Sequence, residues 1–288
     1  MPVLSIQSHV SFGQVGNRAA GFVLQRLGHP VWAVDTVHFS NHTGYGAWTG
    51  EVVTPGAVGA LLDGVLARAQ ETGEIGDCRA VLSGYLGSAA LGEVVLGAAA
   101  RVRAATPDAL WCCDPVMGDV EKGLFVAPDI PAFMRERLTP AADILTPNLF
   151  ELGLLAEREI ATRAEALAAA RVVLARGPRL VLVTSLLLPE TPDGKIEMLA
   201  VSAEEAWAVA TPRMTLEPPR GGLGDATAAL FLAHFLETGH ARAALERTAA
   251  GMHELVQATA RKPGRELALV EAQDRLVAPG KSFAAEAI

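Results

Sequence analysis

Little in this chain points to a partner made of nucleic acid, lipid or crosslinked protein. Basic residues number 24 against 32 acidic ones, a formal net charge of -8, so the basic surface that nucleic acid or an anionic membrane selects is missing. There are three cysteines, Cys78, Cys112 and Cys113. An odd count with two adjacent makes no disulfide framework and suits a reducing compartment. No Cys/His spacing has the form of a zinc site. No apolar run reaches transmembrane length. Gln7, Ser8 and His9 break the N-terminal apolar stretch before it resembles a signal peptide, so a cytoplasmic protein is expected. The Walker-type lysine loop and the Gly-x-Ser-x-Gly elbow are also missing, which argues against a P-loop enzyme and a serine hydrolase.

Half of the 288 residues are hydrophobic and only 19% are charged, enough for a substantial core. Short β-rich runs at 3–6, 31–37, 80–83, 110–113, 143–145 and 180–183 alternate with helical segments at 17–27, 55–69, 91–104, 149–156 and 164–175. A hairpin is expected from 197–201 and 206–210, followed by helices at 225–236 and 241–260. This alternation implies an α/β fold with a mainly parallel sheet covered on both faces. With no repeat and no low-complexity linker, residues 1–288 read as a single domain.

Polar residues cluster just past the expected strand ends: Ser8, Ser83, Asp114, Thr146 with Asn148, and Thr184. Ligands of open parallel sheets bind beyond those ends, although turns and caps need polar residues too. The strongest signal is Gly221-Gly222-Leu223-Gly224-Asp225, running into the apolar 226–233. Glycines allow close approach of backbone to a ligand, and the unpaired N–H groups of a following helix suit anionic oxygens. A carboxylate at such a mouth makes sense as the base for a hydroxyl that attacks phosphorus; the plainer reading is an N-cap.

Asp114, after the strand 110–113, has the oxygen chemistry that magnesium takes alongside water. Glu151 sits in the first turn of a helix, where the dipole alone favours an acid. Aromatic residues are only 5% of the chain, yet Phe39, Tyr45 and Trp48 fall together with His38 and His42. That mixture suits a flat heteroaromatic ligand or a subunit interface. Tyr85, the other tyrosine, follows the strand 80–83, and both tyrosines are expected to flank one pocket. Lys122 has the charge to steer phosphate, and the remaining histidines are scattered without metal spacing.

Assembled, these motifs resemble those of the pyridoxal kinases of the ribokinase-like superfamily, almost end to end. The resemblance is carried by Ile6-Gln7-Ser8-His9-Val10, Phe39-Ser40-Asn41-His42-Thr43, Leu82 to Ser88, Cys113-Asp114-Pro115-Val116-Met117-Gly118, Pro147-Asn148 with Glu151, and Gly222-Leu223-Gly224-Asp225. It implies a three-layer αβα fold and ATP-dependent phosphorylation of the 5′-hydroxyl of pyridoxal, with pyridoxine and pyridoxamine as further candidates. Asp225 would be the base and also touch substrate, and Gly222, Leu223 and Gly224 would form the anion hole. Ser8, Thr43, Gly44 and Tyr85 would contact the ring. Asp114, Thr146, Glu151, Thr184, Thr211, Pro212, Arg213 and Met214 would line the nucleotide side, with Asp114 and Glu151 at Mg2+. The resemblance further implies MgATP as donor, a homodimer, and leaves room for a K+ requirement. Thr184 departs from it, standing where relatives can carry a lysine. A hydroxymethylpyrimidine kinase on the same scaffold and a non-catalytic vitamer-binding protein are the alternatives.

Overall fold

Strands as uniformly apolar as 80–83 and 110–113 need cover on both faces. The computed structural model, which describes residues 1–288, supplies it with three layers. The strands are β1 (Val3–Phe12), β2 (Val31–Asn41), β3 (Gly50–Val52), β4 (Ala80–Ser83), β5 (Leu110–Cys113), β6 (Gly118–Asp119), β7 (Gly123–Leu124), β8 (Ile144–Leu145), β9 (Leu180–Leu186), β10 (Lys195–Val201), β11 (Ala206–Pro212) and β12 (Glu286–Ala287). The helices are α1 (Asn17–Arg26), α2 (Pro55–Glu71), α3 (Ala89–Ala105), α4 (Ile130–Phe133), α5 (Leu149–Ala156), α6 (Arg163–Leu174), α7 (Leu223–Thr238), α8 (Ala241–Ala260) and α9 (Leu269–Val277).

Ten strands form one sheet in the order β3-β2-β1-β4-β5-β8-β9-β10-β11-β12, and β6 pairs only with β7. The strands from β2 to β9 run parallel, while β3 on one edge and β10 to β12 on the other are antiparallel. Successive side chains along a strand enter opposite cores. Leu4, Ile6, Val81 and Cys113 face the core under α2, α3, α5 and α6. Val3, Ala80, Leu82 and Cys112 face the core under α1, α7, α8 and α9. The two cores hold 38 and 31 buried residues, so neither face is left to solvent. No helix is long and apolar enough to cross a membrane.

The chain passes from β1 to β2 on one side and to β4 on the other, which places the topological switch at β1. In such sheets the crevice for ligands opens there, at the carboxyl ends of the strands. β1 and β2 run well past the expected ends at 6 and 37, because beyond the layered core they still pair with each other, His9 with His38 and Phe12 with Asn41. A register shift between Gln7 and His9 interrupts that ribbon. The edge strands β3 and β12 and the helix α9 were not expected from the sequence; β3 and β12 are exposed along their whole length and carry no burial pattern.

Helix α7 is buried on all sides from Ala226 to His234, which fixes its N-terminal turn against the sheet end. Both ring nitrogens of His234 lack hydrogen-bond partners, and the nearest carboxylate, Glu237, stands 3.9 Å away, too far to bond. Burial pushes the His234 pKa from 6.5 down to about 4. A depressed histidine contributes stability above its unfolded pKa that is lost as pH falls through the folded value. Urea denaturation at pH 7 and pH 4.5 should therefore show the native chain losing roughly 2–3 kcal/mol more than a His234→Leu variant. Equal losses in the two proteins would show that His234 does not titrate in this way.

Candidate active site

Asp114 follows β5 directly and is 5% exposed, its backbone N–H donating to the Ser83 carbonyl at 2.8 Å. The Thr146 hydroxyl donates to Asp114 Oδ1 at 2.9 Å. Thr146 therefore reaches the site through Asp114, holding its carboxylate in place. Glu151, 4% exposed, accepts the N–H of Met117 at Oε1 and of Asn148 at Oε2, both at 2.9 Å. Asn148 returns the bond by accepting the Glu151 N–H, which completes a capping box at the start of α5. The structural account of Glu151 thus holds, and the same carboxylate also clasps the turn after Pro115. Oε1 also accepts the Gly118 N–H at 3.5 Å, which leaves Oε2 as the oxygen with a lone pair for a ligand.

The glycine run ends differently from an ordinary capped helix. Gly222, at φ 90°, occupies the N-cap position of α7 without a side-chain cap, and Asp225 lies inside the first turn. The N-cap alternative for Asp225 is thereby excluded. Instead Asp225 Oδ2 accepts the backbone N–H of Gly16 at 2.9 Å, from the turn between β1 and α1. The amides of Leu223, Gly224 and Asp225 precede the first helical bond, Ala226 N–H to the Gly222 carbonyl, and stay available for an anion. Gly224 borders Asp114, since a Cβ on it would stand 3.7 Å from Asp114 Oδ2.

Three carboxylates thus share one cleft, and the electrostatics register the crowding. Burial first, then the charges of Glu151 and Asp225, push Asp114 well above the usual carboxylate range, with the Thr146 hydroxyl pulling the other way. Burial pushes Glu151 up to about 7 despite three backbone N–H groups that favour its charge. Burial also raises Asp225, opposed by the Gly16 N–H. No cationic side chain is among the groups that shift them. No three acid, histidine or cysteine side chains converge closely enough to hold a metal ion unaided. The donor set suits a hydrated divalent ion that arrives with phosphates, because such an ion takes few protein oxygens and relieves the repulsion.

Ser8 was expected beyond the end of its strand; it lies within β1, at the register shift. It is pressed against Gly16, whose φ of 55° and missing Cβ allow the contact; a side chain there would run into the Ser8 carbonyl and hydroxyl. Thr43 and Gly44 form a short exposed turn with Tyr45 after β2. The His42 ring reaches the glycine run, lying 3.6 Å from where a Cβ on Gly221 would stand. The lip formed by this turn and the glycine run are therefore neighbours. Tyr45 packs against His42 at 4.7 Å and Phe12 at 6.0 Å between ring centroids. Tyr85 makes no ring contact with Tyr45; it is half-buried, and its carbonyl accepts the Thr36 hydroxyl.

Thr184 also lies inside its strand, β9, rather than past the end, with its N–H donating to the Pro147 carbonyl at 2.9 Å. Ser185 beside it takes φ 58°, uncommon for a residue with a side chain. Thr211 and Pro212 end β11 opposite Ile196 and Lys195, and the Arg213 N–H donates to the Gly194 carbonyl at 2.8 Å. Residues 211–214 and the loop before β10 therefore lie at the end of the sheet toward which β9 runs, with Met214 half-buried there. Ser83 has a structural task, accepting the Trp111 indole N–H at 2.9 Å. Lys122 pairs with Asp119 at 3.2 Å on the β6–β7 hairpin. Gly16 was missed by sequence reasoning, and its only signal was the paired glycines of Phe12-Gly13-Gln14-Val15-Gly16.

A three-layer sandwich with free helix-start amides and buried carboxylates at the carboxyl-end side of its sheet has the form of a small-molecule kinase of the ribokinase-like class. Residues 63–270 match the family model described as phosphomethylpyrimidine kinase. A pyridoxal kinase PdxY of Rubrobacter xylanophilus is 55% identical over 98% of this chain and 95% of its own. Its counterpart in Deinococcus radiodurans is 52% identical over 99% and 96%. The pyridoxal kinase of Leishmania donovani, solved with ADP and pyridoxamine, superposes with a TM-score of 0.89 at 29% identity, covering 100% of this chain and 99% of that one. The chain belongs to this family, on its pyridoxal kinase branch.

The contact of Gly16 with Ser8 makes the turn testable. A Gly16→Ala variant should lose activity by about 10-fold or more, because the N–H that orients Asp225 must move by a substantial part of an ångström. A variant with native kcat would show that this bond does not set the carboxylate.

Proposed function

We infer that the chain transfers the terminal phosphoryl group of ATP to the 5′-hydroxyl of pyridoxal, yielding pyridoxal 5′-phosphate and ADP. The observation that carries this is the Asp225 carboxylate, fixed by the Gly16 amide at the mouth of the Gly222–Gly224 cradle. In this reading the ring lies between Ser8, Thr43, Gly44 and Tyr85, with its hydroxymethyl group toward Asp225. The hydroxyl oxygen attacks the γ-phosphorus, the bond from that phosphorus to the bridging oxygen breaks, and the proton passes to Asp225. Burial helps here: a carboxylate raised above its ordinary value is a stronger base. The free amides of Leu223 and Gly224 face the charge that spreads over the phosphoryl oxygens, and such charge stabilisation is most of what phosphoryl transfer asks of a protein.

Asp114 and Glu151 are the residues that would hold Mg2+, directly or through water, with Thr146 orienting Asp114. The ion supplies charge neutralisation between the phosphates and these carboxylates. Thr184 and residues 211–214 would border the nucleotide, and Thr184 brings no positive charge to it. Mg2+ as the divalent ion, K+ as a monovalent requirement and a homodimeric assembly follow from the same family likeness. A pyrimidine substrate is the second reading, favoured by the description of the matching family model.

A coupled assay with MgATP and a panel of pyridoxal, pyridoxine, pyridoxamine, hydroxymethylpyrimidine and ribose separates the two, with pyridoxal turned over fastest. Turnover confined to hydroxymethylpyrimidine would reverse the substrate assignment, and none at all would favour a binding protein. Asp225→Asn should lower kcat by about 10²–10⁴-fold while pyridoxal KM moves less than about threefold. Near-native turnover in that variant would remove Asp225 as the base.

A further inference from the structure

The segment between α8 and α9 reaches back across the molecule to the ring-side lip, and it does so through one carboxylate. Glu266 Oε2 accepts the N–H of Gln14 at 2.7 Å, and Oε1 accepts the Tyr45 hydroxyl at 2.9 Å. The His42 Nε2 lies 3.4 Å from Oε1, and the His42 and Glu266 side chains are only 13% and 16% exposed. The neighbouring Arg265 donates to the Gly44 carbonyl at 3.1 Å and lies 5.7 Å over the Tyr45 ring. Gly13 leaves room for the contact, since a Cβ on it would stand 2.6 Å from Glu266 Oε2.

The geometry has a consequence for the base. Gln14 is two residues from Gly16, whose N–H is the one protein hydrogen bond to Asp225. Tyr45 belongs to the turn that also holds Thr43 and Gly44. A carboxylate is an acceptor with two oxygens, so it can receive donors from two separate segments at once. We propose that Glu266 is a positioning residue that ties the ring-side lip to the turn carrying Gly16, so that substrate enclosure and the placement of Asp225 are set together. The proposal rests on the reading of Asp225 as the base.

The tether is a matter of hydrogen-bond geometry rather than charge, which separates it from a generic structural role. In Glu266→Gln, the amide oxygen still accepts from Gln14 while its NH2 donates to the Tyr45 oxygen. In Glu266→Ala both links go. Steady-state kinetics of the full chain with pyridoxal and MgATP should show Glu266→Ala lowering kcat and raising pyridoxal KM, each by about 10-fold, with ATP KM unmoved. Glu266→Gln should recover most of both losses. Tyr45→Phe, which removes one hydroxyl and keeps the packing, should raise pyridoxal KM about threefold and carries the test if the alanine variant does not fold.

Three results with the Glu266 variants would overturn the proposal. They are an alanine variant with native kcat and pyridoxal KM, a glutamine variant as impaired as the alanine one, and an ATP KM that rises in parallel. For Tyr45→Phe, an unchanged pyridoxal KM does the same. In an Asp225→Asn background the kcat effect of Glu266→Ala should vanish, because coupled residues are not additive. If the two kcat losses multiply, the link through Gly16 is wrong although the base stands. If Asp225→Asn alone is near native, the base assignment has failed, and the pyridoxal KM of Glu266→Ala still reports on the lip.

Discussion

Like charges held close in a low dielectric are the constraint around which this cleft is built. Asp114, Glu151 and Asp225 converge at the ends of buried strands, where each raises the cost of ionising the others or is itself raised by burial. Each charge in such a cluster is harder to maintain than it would be in water. What holds the cluster in place is a set of donors, backbone N–H groups from Gly16 to Asp225 and from Met117 and Asn148 to Glu151, and the Thr146 hydroxyl to Asp114. These bonds orient the acids and favour their charged forms. A site of this kind is completed by the cation and phosphates that enter it, which is how an acidic protein can work on a polyanion.

Rigidity comes from the layers below. Asp114 leaves β5 and Glu151 enters α5, both anchored in the core under α2, α3, α5 and α6. Asp225 enters α7, which is buried in the opposite core from Ala226 onward. The carboxylates therefore approach from opposite faces of one sheet, and their separation is set by packing that side chains cannot easily relax. The lip is different in kind. It is exposed, short and aromatic, and its order derives from contacts to Glu266 and Arg265 rather than from burial.

Much of this was legible in the residues. Uniformly apolar strands and alanine-rich helices announced the layered sheet, and β4 and β5 fall on the expected bounds. The glycine run and Asp225 pointed to an anion site with a plain N-cap as the alternative, and only the structure removes the N-cap reading, since Gly222 holds that position. Where expectation failed, the signal was long-range or absent. β3 and β12 are exposed edge strands with no burial period to detect. Helix α9 has an apolar stripe at Leu269, Ala272 and Leu276, but it is short and follows a loop that drew no attention. Ser8 and Thr184 were placed beyond strand ends because the strands continue as ribbons after the apolar run stops.

The sequence by itself determined the class of fold and marked out the glycine run and the acids as candidates, since hydrophobic period, glycine spacing and side-chain chemistry are local properties. Tertiary structure alone decided which groups meet. That Gly16 donates to Asp225, 209 residues away, and that Glu266 grips both Gln14 and Tyr45 across more than 220 residues, depends on sheet order and layer packing. No local pattern encodes such contacts, because they are made by the closure of the whole chain around its two cores.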